Sequence, residues 1–174
     1  MTLITKQTSV RTVAGLVAAA LVAALCVLAA APAHAQKVVG HDAKGDAEFY
    51  DVDKVVVNHR EERVRVTIEA HDRTPYWYDV FVDTPGGKPW KYAIRWSAYW
   101  PHRLWVMNRK QFSTGEGAKC KLWSAREVNI RDVTFSVPVE CLNEPGRIRL
   151  RAKSFDDETG MQDRTAFTRW AARG

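Results

Sequence analysis

Cysteine is scarce, three residues in 174, and there is no long block of like charge, no internal repeat and no low-complexity tract. Among His41, His59, His71 and His102 no H-x-x-H or H-x-H spacing occurs, which argues against zinc. A G-x-S-x-G motif is missing, and neither His71 nor His102 has a Ser or Cys at a spacing that marks a nucleophile. The expectation is a protein that is not an enzyme. A hydrolase on an all-β scaffold, its triad assembled only in space, is the alternative. Long amphipathic helix patterns are also wanting; Leu122 to Val128 suits a turn or two at most.

The one long apolar run lies at the N-terminus. Lys6 and Arg11 precede it without an acidic residue, Val13 to Ala31 is apolar apart from Gly15, and Pro32 is followed by Ala33-His34-Ala35. This is the order of a cleavable secretory signal, with cleavage between Ala35 and Gln36. A retained membrane anchor is the alternative reading, since 19 residues approach the span of a bilayer. Cleavage leaves one domain, residues 36–174, secreted and with no stable membrane span. It removes Lys6 and Arg11, so 24 basic residues face 20 acidic ones, a net charge of +4. That balance, with its signs interspersed, excludes a nucleic-acid-binding composition. It also removes Cys26. The even pair that remains, Cys120 and Cys141, is expected as a disulfide in an oxidising compartment.

Period-two alternation dominates after residue 50. Val64, Val66, Ile68 and Ala70 alternate with Arg63, Arg65, Thr67 and Glu69; Val133, Phe135 and Val137 alternate with Asp132, Thr134 and Ser136; Ile148, Leu150 and Ala152 alternate with Arg147, Arg149, Arg151 and Lys153. Each reads as a half-buried strand. Further strands are expected at Val52 to Asn58, Trp77 to Asp83, Lys91 to Trp96 and His102 to Asn108, which are rich in β-branched and aromatic residues. Asn58-His59-Arg60-Glu61 and Thr84 to Pro89 read as turns, and Ser113 to Gly117 as a loop. Pro138 cannot donate a ladder hydrogen bond, so its strand ends there or lies at an edge. Seven or more short strands without intervening helices predict an all-β fold, a two-sheet antiparallel β-sandwich of immunoglobulin-like or jelly-roll-like form.

Several of these residues form a spaced pattern: Asp42-Ala43-Lys44-Gly45-Asp46, Tyr50-Asp51-Val52 before Val55-Val56-Val57, Arg63 to Ile68, then Cys120, Ser136-Val137-Pro138, Cys141-Leu142-Asn143, Pro145 and Arg147 to Arg151. In this the chain resembles small uncharacterised exported β-sandwich proteins common in actinobacteria. Its opening is similar to those of sandwich domains such as family 9 carbohydrate-binding modules and the DOMON group. The resemblance implies fold and compartment, and carries no activity.

Three constellations bear on function. His41, Asp42 and Asp46 before the first strand, with Asp156, Asp157, Glu158 and Asp163 after the Arg147–Lys153 strand, could hold calcium between the two ends of the domain, an ion that takes six to eight oxygens; a simple Asx turn is the plainer reading of Asp42 to Asp46. Aromatics crowd the stretch from Trp77 to Trp105. Alternation puts Trp77 on the wetter face of its strand with Asp79 and Asp83, makes Trp96 core, and leaves Trp90, Tyr99 and Trp100 in connections. Trp77, Trp90, Tyr99 and Trp100 are thus the candidates to stack on a sugar ring, with core or rim packing as the alternative. Lastly, Arg147, Arg149, Arg151 and Lys153 share a face that Arg63 and Arg65 could extend, either as a cationic patch or as rungs paired with Glu61, Glu62 or Glu69. The leading expectation is a secreted non-catalytic binding domain for a carbohydrate or envelope polymer; a protein partner, engaged at a sheet edge near Pro138, is the second.

Overall fold

In the computed structural model the alternating segments form strands, and the strands form two antiparallel sheets. The structure describes residues 35–174 except 48–49, 73–75, 88, 98–102, 124, 129–130 and 157–158, and only the backbone of 103, 123 and 125–128. The export segment up to residue 34, with Cys26, lies outside the described residues. Among those residues no helix is long and apolar enough to cross a membrane.

The elements in chain order are β1 (Gln36–His41), β2 (Val52–His59), β3 (Arg63–Ala70), β4 (Trp77–Asp83), β5 (Tyr92–Ser97), β6 (Arg103–Asn108), α1 (Arg109–Thr114), β7 (Cys120–Trp123), β8 (Ala125–Val128), β9 (Asp132–Pro138), a 3₁₀ turn (Val139–Leu142), β10 (Arg147–Phe155), β11 (Gln162–Arg164) and β12 (Ala171–Ala172). One sheet has the order β1-β2-β3-β9-β8; the other runs β11-β10-β4-β5-β6-β7, with β12 also paired to β10. The chain changes sheet after β3, after β7 and after β9, so each sheet is built from distant segments.

The core lies between the inward faces. Val55, Val57, Val64, Val66, Ile68, Val133, Phe135 and Val137 from the first sheet meet Tyr78, Val80, Val82, Ile94, Trp96, Leu104, Val106, Ile148, Leu150 and Ala152 from the second, all buried. β3 shows why alternation is a sound guide: its apolar residues are buried while Arg63 and Arg65 stay exposed. Such a strand cannot slip by one residue without turning its valines into water.

The structure departs from the sequence expectations at several points. β1 is a strand in a stretch to which the sequence reading assigned no element; only Val38 in it is buried, so there is no apolar alternation to see. Residues 109–114 form a helix, capped by Asn108 and Gln111 in a reciprocal pair and ended by Gly115 in the left-handed region at φ 70°. The stretch 122–128, allowed a helical turn above, is divided between β7 and β8. Pro138 ends its strand, as expected; β9 lies between β3 and β8, but β8 pairs along it only from Val133 to Phe135, so at Pro138 the register shows pairing on the β3 side alone. Arg63 and Arg65 lie in the opposite sheet from Arg147–Arg151 and do not extend that face.

Beyond β11 the edge of β10 is closed by an unusual ladder. Thr165 and Thr168 each give a backbone N–H to β10, to the carbonyls of Ala152 (3.0 Å) and Leu150 (2.7 Å). Their hydroxyls accept the N–H groups of Ala152 and Leu150, both at 3.1 Å. Side chains thus do what a strand backbone would, and the edge is not left open for pairing. Gly40 permits the close approach of β1 here, since a Cβ at that position would stand 2.9 Å from Thr168 Cγ2.

Cys120 in β7 and Cys141 in the 3₁₀ turn form a disulfide, with Cα atoms 5.9 Å apart. It joins the far edge of one sheet to the end of β9 in the other.

His59 closes β2 as a buried side chain, not as the turn residue expected above. Its Nδ1 lies 3.2 Å from the Ala171 carbonyl, so the ring donates there, while Nε2 has no hydrogen-bond partner among the described residues. Burial pushes the ring's pKa below its ordinary 6.5, and nearby Arg173 adds to this. Above about pH 6.5 the ring is neutral in both states. As pH falls below that value the unfolded chain takes up a proton that the folded chain resists, so stability is expected to drop. Denaturant titrations between pH 8 and pH 5 should show this loss in the wild type and a shallower one in His59→Leu; equal slopes would refute it.

Candidate functional site

The outward face of the second sheet carries the chemistry. Sheet register sets a continuous rung across it: Lys153 opposes Asp79, Asp79 opposes Arg95, Arg95 opposes Trp105 and Trp105 opposes Lys121. Directly opposed side chains lie about 5 Å apart at Cβ. Trp105 therefore stands between two cations by virtue of strand pairing alone.

Asp79 and Asp83 were expected on a wet face. Both are buried, 8% and 5% exposed, because arginines cover them. Arg95 grips Asp79 through two hydrogen bonds, 2.7 and 2.8 Å, and Arg149 reaches Asp83 at 2.8 Å. A desolvated carboxylate needs such a partner to stay charged. Asp79 in turn holds the Arg95 guanidinium above its usual pKa. The β10 cations are thus met by an aspartate of β4 and by aromatic rings, not by Glu61, Glu62 or Glu69; Glu69 pairs with Lys54.

Those rings make a ladder. Arg149 lies over Trp170 and Phe167, at 4.8 and 4.9 Å from their centroids, and Arg151 over Phe167 and Phe81, at 4.9 and 5.1 Å. Phe81, Trp90 and Phe112 pack as a trio with centroids 5.0 to 5.6 Å apart. Arg95 continues the series over Phe112 at 5.1 Å and Trp77 at 5.7 Å. Each contact is worth roughly 0.5–1 kcal/mol at exposed sites. The threonine ladder on β10 is what brings Phe167 and Trp170 over this face, and the cap at Asn108 turns Phe112 down onto it. Burial and the nearby Arg164 lower the pKa of Arg151.

At the β6–β7 end the ladder opens into a groove of about 350 Å³ lined by Trp77, Arg95, Trp105, Met107, Phe112 and Lys121. Gly115 and Gly117 complete its lining. Trp77 and Trp105 are half-buried there, with part of each indole open to solvent.

A second cluster sits where the β1–β2 loop meets β11. Asp46, Asp51 and Asp163 each place a carboxylate oxygen so that all three lie within 4.8 Å of one another. Asp51 is 1% exposed; its Oδ2 accepts the Gly45 N–H at 2.7 Å, and its Oδ1 has no hydrogen-bond partner among the described residues. Asp163 accepts the N–H of Val52 at 2.8 Å and that of Arg164. Asp42 stands close by, with one buried oxygen that has no hydrogen-bond partner among the described residues. Burial, with Asp163 nearby, raises the pKa of Asp42; that of Asp46 is raised because its protonated carboxyl donates to Asp51. Asp51 also belongs to a neighbouring group with Asp53 and His71.

Of the sequence candidates, then, Trp77 lines the groove. Trp90 is wedged behind it between Phe81, Phe112 and Arg109. Tyr99 and Trp100 lie outside the described residues. Asp42 and Asp46 come together with Asp51 and Asp163. Asp156 is in neither acidic group and holds its own turn through Thr159 at 2.8 and 3.1 Å, while Asp157 lies outside the described residues. Ala35 is exposed immediately before β1. His71 stands 3.6 Å from Asp53 beside a 520 Å³ hollow whose described lining has no Ser, Thr or Cys. Trp105 and Phe112 were not singled out. Alternation of Trp105 and Met107 against Leu104 and Val106 was the available sign for the first; for the second there was none short of the capping pair.

No family model, curated protein or solved structure matches the chain.

Proposed function

We propose that this is an exported, non-catalytic binding domain whose ligand is a polysaccharide or envelope polymer bearing acidic groups, held in the groove of the second sheet. The observation that carries the reading is the pairing of two partly open indoles, Trp77 and Trp105, with the cations Arg95 and Lys121 in one groove. Indole faces stack on the C–H face of a sugar ring, and the cations meet carboxylate or phosphate substituents. Lys121 is exposed and has no carboxylate opposite it in the register, whereas Arg95 keeps its charge against Asp79. Rows of arginines on β10 continue a positive surface along which a long polymer can lie.

Trp105→Ala and Trp77→Ala are each expected to weaken retention of the protein on an acidic envelope polysaccharide by about tenfold, a loss of 1.4 kcal/mol. Lys121→Ala should weaken it less at high salt than at low salt. Affinity electrophoresis through polysaccharide gels measures all three. Unchanged mobility in both tryptophan variants would reject the groove as the site.

A further inference from the structure

We infer that the corner between the β1–β2 loop and β11 is a calcium site, with Asp46, Asp51 and Asp163 as carboxylate ligands and Asp42 beside them. This stands apart from the groove and does not depend on its ligand.

Three carboxylates with oxygens within 4.8 Å of one another repel strongly unless something positive stands between them. Nearby cations pair elsewhere: Lys44 and His71 with Asp53, and Lys54 with Glu69. Asp51 supplies a second and separate sign. Its carboxylate is closed off from water, and one oxygen has no donor among the described residues. A buried acceptor left in that state is costly, and a cation in the cluster removes the cost. Backbone N–H groups of Gly45 and Val52 fix Asp51 and Asp163 in place, so the oxygens are held before any ion arrives.

The donor set selects the ion. All the donors are oxygen, which excludes a preference for zinc or copper and suits calcium or magnesium. Asp46 is exposed, so one side is open for the waters that complete six to eight ligands. An irregular set of aspartates from a loop and a strand fits calcium's flexible shell better than the strict octahedron of magnesium. Bound calcium would clamp the start of the domain to its C-terminal part, 111 residues apart at the Val52–Asp163 bond.

The full chain, stripped with EGTA and titrated with calcium chloride in a calorimeter, is expected to bind one ion with a Kd of roughly 10⁻⁴–10⁻³ M, as extracellular modules do. Its thermal midpoint should rise by roughly 5 °C at tenfold excess over Kd. Asp46→Asn changes an exposed loop residue and so spares folding; it should weaken binding at least about tenfold, taking one carboxylate from the shell. Asp53→Asn should leave the titration as it was. An absence of heat and of any thermal shift up to about 10 mM calcium would overturn the assignment, because extracellular sites fill below that level. So would binding that Asp53→Asn abolishes and Asp46→Asn leaves intact.

Discussion

Replacing Cys120 and Cys141 together with alanine is expected to lower the thermal midpoint by roughly 10 °C, from a loss of about 3 kcal/mol. The bond closes a loop of 21 residues in sequence, and chain entropy in the unfolded state supplies most of that figure. The structure adds a reason for the loss to be felt by the whole fold. Cys120 belongs to the edge strand of the second sheet and Cys141 to the turn after an interior strand of the first, so the bond crosses the sandwich. Both sulfurs lie against the core, with Cys141 buried. Calorimetry of the double variant and of the reduced wild type should agree. A midpoint within 2 °C of the oxidised protein would mean that packing alone holds β7 in place.

Trp96→Ala should cost about 3–5 kcal/mol, the range for truncating a large aromatic in a core. Trp96 is 2% exposed and opposes Tyr78, with ring centroids 5.8 Å apart. Trp96→Phe should recover most of the loss, because the indole nitrogen has no hydrogen-bond partner among the described residues and deleting it strands nothing. Trp77→Ala, one strand away on the other face, should cost less than about 1.5 kcal/mol since the groove leaves it half open. Urea titrations compare the three. Equal losses for Trp96→Ala and Trp77→Ala would contradict the division of faces.

That division was legible from the sequence. Alternation alone separated Tyr78 from Trp77 and placed Trp96 inside, because a strand with one wet side must repeat every second residue. The sandwich follows from the same local reading, whereas the disulfide was expected from the even pair of cysteines left beyond the export segment. What alternation does not carry is which strands are neighbours. Arg63 and Arg149 look alike in sequence, yet β3 and β10 belong to different sheets. Asp79 and Asp83 looked solvated for the same reason: their covers, Arg95 and Arg149, come from β5 and β10, which only the register brings alongside. Asp51 was passed over as part of a strand opening. The meeting of Asp46 with Asp163 was among the expected pairings of the two acidic loops, but a lone Asp51 at the mouth of β2 carries no sign that its carboxylate turns to join them.

The chain has seven tryptophans, few enough for each indole N–H to give its own cross-peak in a ¹H–¹⁵N spectrum. Titration with a soluble acidic envelope polysaccharide is the most direct test of the groove as the binding site. The Trp77 and Trp105 indole signals should move together and saturably, while that of Trp96, buried on the inner face, stays where it is. Shifts confined to Trp123 or Trp170, or none at all at millimolar sugar concentration, would contradict it.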